Sequence, residues 1–229
     1  MILNKLIKAI LFDADNTLYD TQKAAKIADN QIVEELAQKT DKYNTKELYA
    51  EWKKIVYSIR HSLDPGMHER RYSYGEMIKK LGLDEETEEV LNRFGSVFLS
   101  HLKLMPGLPN ALKTDLKKYK KAILSESEKD FMLIKLKKLK LSKYFDLIIG
   151  NEDVGAKLKP NPEYYIIAFK ELKLRPEECI MIGDHYEKDL EIAQKRFGMK
   201  VIFFGKQEKR ANLCIESFEK IGEIIKKIV

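Results

Sequence analysis

The chain has 229 residues, enough for one large domain or for a core domain with a smaller second one, and 34% of them are charged. A net charge of +6, spread over helical patterns, does not indicate a nucleic-acid partner. Cys179 and Cys214 are too few and too far apart for a disulfide framework or a zinc site, and we find neither a membrane-spanning run nor a signal peptide, so we expect a cytoplasmic protein with no membrane association.

The first predicted element is a buried strand over residues 7–12, a short apolar run that ends in a polar loop beginning Asp13-Ala14-Asp15. Alternate residues of an extended chain share a face, so this spacing brings two carboxylates to one edge of a sheet. Two like charges about 4 Å apart repel by about 4 kcal/mol at an effective dielectric near 20. We therefore expect a divalent cation and a lysine near the pair.

From residue 20 to about residue 104 the hydrophobic positions recur at the three- and four-residue steps of helices. Asn44 with Glu47, and Ser73 with Glu76, have the spacing of capping boxes, and Gly82 stands where a helix would end. This pattern predicts about four helices and no strand in the segment.

After Pro106-Gly107-Leu108-Pro109, predicted strands alternate with amphipathic helices. The predicted strands are 122–125, 147–149, 179–182 and 200–204, and the predicted helices are 128–140, 162–172 and 187–197. Helices of this length connect parallel strands by right-handed crossovers. The fold class is therefore α/β, a doubly wound parallel sheet with a helical segment inserted after its first strand. The basic run 135–140 interleaves with leucines at helical spacing and predicts a solvated helix face.

Ligands of open α/β sheets bind at the carboxyl ends of the strands, so polar residues at these ends are candidates for a site. The candidates are Asp13 with Asp15, then Ser125, Lys159 and Asp184. In this order they resemble the motifs of the haloacid dehalogenase (HAD) superfamily, most of whose members are magnesium-dependent phosphohydrolases. D-x-D-x-T-L fits residues 13–18, and G-D-x-x-x-x-D fits residues 183–189.

The resemblance covers the whole chain and implies a Rossmann-like core domain over residues 1–18 and 105–229. Residues 19–104 look like the C1-type helical cap of the same superfamily. By the same resemblance, Asp13 is the nucleophile that forms an aspartyl-phosphate, and Asp15 is the general acid and base. The acid role requires a pKa raised by the anionic neighbours of Asp15.

The resemblance also implies that Ser125 and Lys159 bind the phosphoryl group. Mg²⁺ would be held by the carboxylates of Asp13 and Asp184 and by the backbone carbonyl of Asp15. Asp189 is expected to orient these groups and not to bind the metal directly.

Two positions depart from the family pattern. Glu126 stands where a small polar residue or Asn is usual, and we expect its carboxylate to point away from the phosphate. Gly155 lies one residue further than usual from Lys159, which leaves Lys157 as a rival, although the proline after Lys159 favours the latter.

The segment 60–71 concentrates His and Arg between two predicted helices. As a hypothesis, Arg60, His68 and Arg71 contact the substrate. The expected partner is a small phosphorylated metabolite, and the expected assembly is a monomer or homodimer.

The function that these motifs favour is a Mg²⁺-dependent phosphohydrolase. Three alternatives stay open, namely a metal-independent 2-haloacid dehalogenase, a phosphomutase, and a non-catalytic binding protein of the same fold. Asp15 argues against the dehalogenase, which does not need a second aspartate in the first motif.

Overall fold

A parallel sheet organises the first and last parts of the chain in this computed structural model, which describes residues 6–60 and 70–228 without the side chains of residues 59 and 60. The strand order is β3-β2-β1-β4-β5-β6. The strands are β1 Ala9–Phe12, β2 Lys120–Leu124, β3 Leu147–Ile149, β4 Cys179–Gly183, β5 Lys200–Phe204 and β6 Leu213–Ile215. The sheet is doubly wound, since the chain moves outward from β1 in both directions, as predicted.

Continuous apolar runs explain why β1 and β4 occupy the centre of the sheet. Every residue of both strands is buried. In the register, Phe12 pairs with Ile123 of β2 and with Ile182 of β4. The three strands therefore end at the same level, and the loops that follow them are neighbours.

The predicted strands 147–149 and 200–204 match β3 and β5, and the other predicted strands differ from the observed ones by one or two residues at their ends. β6 was not predicted, because no helix separates it from β5, so it falls outside the alternation of strands and helices from which the other strands were predicted.

The described residues of the second part of the chain, 103–228, contain five α-helices. They are α5 Leu108–Lys113, α6 Lys129–Lys138, α7 Glu163–Leu172, α8 Glu191–Lys195 and α9 Ile221–Ile228. The predicted helix over 187–197 is wrong in detail, since a π-helical turn, Tyr186–Leu190, precedes α8. The short helices α5 and α9 were not predicted.

The second unit is helical. By contacts, the chain divides into one unit containing residues up to Thr21 and from Lys103 onward, and a second unit, Gln22–Leu102. The second unit holds α1 Thr21–Ala37 (whose first residue lies in the first unit), α2 Thr45–Arg60, α3 Arg70–Leu81 and α4 Thr87–His101. None of the described helices has the length and apolar character to span a bilayer.

The ends of these helices test the predicted caps. Asn44 and Glu47 form a capping box, since each backbone N–H donates to the other side chain, at 2.9 and 3.0 Å. Gly82 follows α3 with a φ of 65°, the left-handed conformation that favours glycine. The predicted capping box at Ser73 is wrong, because Ser73 is buried inside α3.

Candidate active site

Three candidate residues follow neighbouring strands. Asp13 follows β1, Ser125 follows β2 and Asp184 follows β4. The Asp13 N–H donates to the carbonyl of Ile182 at 2.8 Å, and the Ser125 N–H donates to that of Ile149 at 3.0 Å. These bonds extend the sheet pairing by one residue beyond the strands, so the backbones of Asp13 and Ser125 are fixed by the sheet.

A tight loop follows Asp13. Asn16 has a φ of 62°, a left-handed conformation that asparagine tolerates better than most residues. Its N–H donates to the carbonyl of Tyr19 at 2.8 Å. The loop turns the Thr17 hydroxyl toward two carboxylates, at 3.3 Å from Asp13 Oδ2 and 3.4 Å from Asp184 Oδ1. Thr17 thus links the first and fourth motifs.

Lys159 is buried beside Asp13. Its Nζ lies 2.6 Å from Asp13 Oδ1 and 2.8 Å from Asp189 Oδ1. Burial would lower the pKa of Lys159, but the charges of Asp13 and then of Asp189 raise it well above its ordinary value. The side chain is therefore an ammonium group, placed beside the carboxylate expected to attack phosphorus. The rival Lys157 is exposed.

Three carboxylates converge next to this lysine. Oxygens of Asp13, Asp184 and Asp189 lie within 4.8 Å of one another. When ionised, the three carboxylates carry a charge of −3, and the ammonium of Lys159 carries +1. The net charge of −2 is the charge that one divalent cation neutralises. Carboxylate oxygens are the ligands that Mg²⁺ prefers. The donor set of this cluster therefore fits a hard divalent ion.

The excess of negative charge in this cluster also affects the pKa values of Asp13 and Asp184. Burial, and then the charge of Asp189, raises the pKa of Asp13 well above its ordinary value, against the opposing effect of Lys159. Burial, and then Asp189, also raises the pKa of Asp184, to about 6. A bound cation would favour the ionised form of both carboxyls.

Asp15 lies in a separate set of contacts. Its Oδ1 accepts hydrogen bonds from Thr21 Oγ1 at 2.6 Å and from Lys135 Nζ at 2.7 Å, and its Oδ2 accepts one from Ser127 Oγ at 2.7 Å. Burial alone would raise the pKa of Asp15, but the charge of Lys135 and these hydrogen bonds together lower it. The expectation that its anionic neighbours raise this pKa is wrong, because the carboxylate contacts a lysine.

Lys135 is the residue of this site that the sequence reasoning missed. The run 135–140 was predicted to form a solvated helix face, yet Lys135 is only 1% exposed, while Lys137 and Lys138 are exposed as predicted. A signal was present, because positions 132, 135 and 136 share the apolar face of α6 at three- and four-residue spacing. Ser127 and Thr21 were also not singled out.

Ser125 and Glu126 follow β2. Ser125 is buried, and its Oγ accepts a hydrogen bond from the Ser127 N–H at 3.1 Å. The carboxylate of Glu126 accepts hydrogen bonds from the Lys159 N–H at 2.8 Å and from Lys188 Nζ at 2.9 Å. The extra carboxylate is thus paired with a lysine and holds the backbone of the loop that carries Lys159.

The arginine- and histidine-rich segment is described only in part. His68 lies outside the described residues, as does the side chain of Arg60. The guanidinium of Arg71 binds the carboxylate of Glu88, with Nε 2.6 Å from Oε1, and both side chains are exposed.

Comparison with known proteins agrees with these motifs. The chain is 27% identical over 224 residues to the glyceraldehyde 3-phosphate phosphatase of Pyrococcus furiosus, covering 96% of this chain and 89% of that protein. It is 30% identical over 197 residues to the phosphoglycolate phosphatase of Aquifex aeolicus, covering 85% of this chain and 83% of that protein.

Solved structures of the same fold include a HAD phosphatase from Thermococcus onnurineus. It is 25% identical, with a TM-score of 0.74 over 96% of this chain and 98% of that one. The L-2-haloacid dehalogenase of Xanthobacter autotrophicus shares the fold alone, at 17% identity and a TM-score of 0.68, covering 98% of this chain and 100% of that one. The family model described as haloacid dehalogenase-like hydrolase matches residues 10–204. The chain belongs to the haloacid dehalogenase-like hydrolase family.

Proposed function

We propose that the protein is a Mg²⁺-dependent phosphoric monoester hydrolase that acts on small phosphorylated metabolites through an aspartyl-phosphate on Asp13. The observation that carries the proposal is the contact between Asp13 and the buried ammonium of Lys159. This contact lies in a cluster of acidic side chains, and a second aspartate, Asp15, follows Asp13 two positions later in the sequence. Relatives named as phosphatases over most of the chain support it.

The reaction has two steps. A carboxylate oxygen of Asp13 attacks phosphorus, the bond from phosphorus to the leaving oxygen breaks, and that oxygen takes a proton from Asp15. Water then attacks phosphorus, gives a proton to Asp15, and displaces the Asp13 carboxylate, which releases phosphate. Asp15 rests as a carboxylate, the form that accepts the proton in the second step, and it must gain a proton before an alkoxide can leave.

Positive charge and hydrogen-bond donors hold the phosphoryl group in this proposal. Lys159 places an ammonium beside the attacking oxygen, and Ser125 supplies a hydroxyl from the end of β2. Mg²⁺ would be held by Asp13 and Asp184, with the backbone carbonyl of Asp15. When bound, it offsets the negative charge of the carboxylates and of the phosphate. Asp189 fixes the orientation of Lys159.

The substrate class follows from the relatives. Glyceraldehyde 3-phosphate and phosphoglycolate, the compounds in their names, are short phosphorylated molecules with a carbonyl or carboxylate group. We propose substrates of this size. We also propose two domains, a core domain of residues 1–18 and 105–229 and a cap domain of residues 19–104 that selects the substrate. We also propose a monomer or homodimer and a cytoplasmic location, where the unpaired thiols of Cys179 and Cys214 stay reduced.

Phosphate release from p-nitrophenyl phosphate tests the function. We expect release with Mg²⁺, its loss on adding EDTA, and its loss in Asp13→Asn. Asp130→Asn is the matched control, because it makes the same change at an exposed carboxylate of α6 and should leave the rate unchanged. Chloride release from chloroacetate without metal would instead identify a dehalogenase, and the absence of both activities would favour a binding protein.

A panel of phosphate esters then separates hydrolysis from transfer. A phosphatase releases inorganic phosphate from every accepted ester, whereas a phosphomutase returns the phosphoryl group to a second sugar position. The panel includes glyceraldehyde 3-phosphate, phosphoglycolate, nucleotides and sugar phosphates. Formation of an isomeric sugar phosphate faster than free phosphate would replace the hydrolase by a mutase.

A further inference from the structure

Lys135 is a buried lysine at the centre of the contacts around Asp15. Its side chain is 2% exposed, and its Nζ lies 2.7 Å from Asp15 Oδ1 and 3.3 Å from Ser127 Oγ. The aromatic rings of Tyr19 and Phe131 lie 5.1 and 5.3 Å from the same nitrogen, measured to their centroids. Nothing in the family motifs assigns a role to this position.

Burying an ammonium group is costly unless an anion and hydrogen-bond acceptors compensate it. Here the compensating anion is Asp15, and the rings of Tyr19 and Phe131 add a weaker electrostatic attraction. The neighbouring lysines of α6, Lys137 and Lys138, are exposed and need no such partner. The burial of Lys135 is thus tied to the second aspartate of the first motif.

The contacts fix the orientation of the Asp15 carboxylate. Lys135 and Thr21 contact Oδ1, and Ser127 contacts Oδ2, so both oxygens are held. Lys135 also donates to Ser127, so that the lysine supports the contact at Oδ2 as well. A proton-transfer group works only when it is held within hydrogen-bonding distance of the reacting atom.

We propose that Lys135 is a positioning residue that holds Asp15 for proton transfer, and this inference rests on the proposed phosphatase function. Lys135 acts through Asp15 and does not contact the substrate. Substitution of Lys135 should therefore change the rates for different substrates in the same way as substitution of Asp15, but to a smaller extent.

That pattern depends on the leaving group. p-Nitrophenolate departs without a proton, so the first step with p-nitrophenyl phosphate does not need Asp15. An alkoxide from an alkyl phosphate does need it. With Lys135→Met we expect kcat/KM to fall about 10- to 100-fold for an alkyl phosphate such as phosphoglycolate and to stay within about 3-fold for p-nitrophenyl phosphate. A general disturbance of the site lowers both values together.

Rapid quenching supplies a second measurement. The second step uses Asp15 as a base whatever the substrate, so with p-nitrophenyl phosphate the fraction of protein phosphorylated on Asp13 in the steady state should rise in Lys135→Met. Lys137→Met, an exposed lysine of the same helix, is the matched control and should behave as the unchanged protein does. Thermal unfolding of each variant shows whether the fold is intact.

A double-mutant cycle decides whether Lys135 acts through Asp15. Lys135→Met with Asp15→Asn should be no more than about 2-fold slower on the alkyl phosphate than Asp15→Asn alone. If Lys135→Met does not fold, Lys135→Gln, which keeps an N–H donor, carries the same tests with a smaller expected loss.

Three results overturn the inference while the unchanged protein still releases phosphate and the proposed function stands. In the first, Lys135→Met matches the unchanged protein on both substrates. In the second, kcat/KM of Lys135→Met falls equally on both substrates. In the third, the losses for Lys135 and Asp15 multiply in the double variant. Absence of phosphatase activity in the unchanged protein would instead refute the proposed function.

Discussion

The Lys159→Met substitution removes the ammonium that lies 2.6 Å from Asp13 Oδ1 and 2.8 Å from Asp189 Oδ1, and it keeps most of the side-chain volume. Asp189, only 2% exposed, then lacks its ion-pair partner, and three carboxylates remain within 4.8 Å of one another. Removing one partner of a buried ion pair costs about 3–5 kcal/mol. Because Asp13 and Asp184 can take up protons, we expect the lower end, a loss of about 3 kcal/mol at neutral pH without metal.

Magnesium should reverse part of this loss. The variant cluster carries one more uncompensated negative charge than the original, so Mg²⁺ should stabilise the variant more than the unchanged protein. At about 100 times its dissociation constant a ligand adds about 2.7 kcal/mol to stability. Urea denaturation in EDTA and in Mg²⁺ measures both effects, with Lys157→Met as the control, since Lys157 is exposed on the same loop.

Two results of these denaturation measurements would contradict the prediction. Equal losses for Lys159→Met and Lys157→Met would show that the ion pair with Asp13 contributes little. A stability difference between Lys159→Met and the unchanged protein that does not narrow in Mg²⁺ would show that the cation does not bind at the acidic cluster.

Three further predictions concern other residues of the chain. Burial, and then the charge of Asp189, raises the pKa of Asp184 to about 6 in the folded, metal-free protein. The protonated carboxyl stabilises the fold fully at pH values below the pKa of Asp184 in the unfolded chain. This stabilisation is lost as the pH rises through about 6. The metal-free Tm should fall over this range, and an equal fall in Asp184→Asn would contradict the assignment. Glu126→Ala should lower kcat about 10-fold by freeing the backbone of Lys159, with Glu126→Gln close to the original; equal effects would rule out a role for the hydrogen bond. Arg60→Ala, His68→Ala and Arg71→Ala should each raise KM for the physiological substrate, and unchanged KM values would remove this segment from the substrate site.

The sequence predicted those parts of the fold in which local pattern and tertiary environment agree. β3 and β5 were predicted at their observed bounds, because each is a short apolar run bounded by polar or glycine-containing loops. β6 was missed, since it follows β5 without an intervening helix and its place in the sheet depends on its pairing with β5.

In the candidate active site, too, some features follow from local sequence and others depend on contacts between distant residues. Asp13, Ser125 and Asp184 were placed near one another because the carboxyl ends of parallel strands share an edge. Lys135 was assigned to solvent, because a lysine in a basic helical run is usually exposed, and its burial depends on Asp15, which lies 120 residues away in sequence. The sign of the Asp15 pKa shift was wrong for the same reason.

Phosphorylation of Asp13 during turnover is the event that distinguishes the proposed mechanism from any other. Protein quenched in acid while it hydrolyses p-nitrophenyl phosphate with Mg²⁺ can be digested and its peptides measured by mass spectrometry. We expect one added phosphoryl group on the peptide that contains Asp13, and none in Asp13→Asn. Phosphate release with this peptide unmodified at every quench time, or with the phosphoryl group on another residue, would exclude Asp13 as the nucleophile.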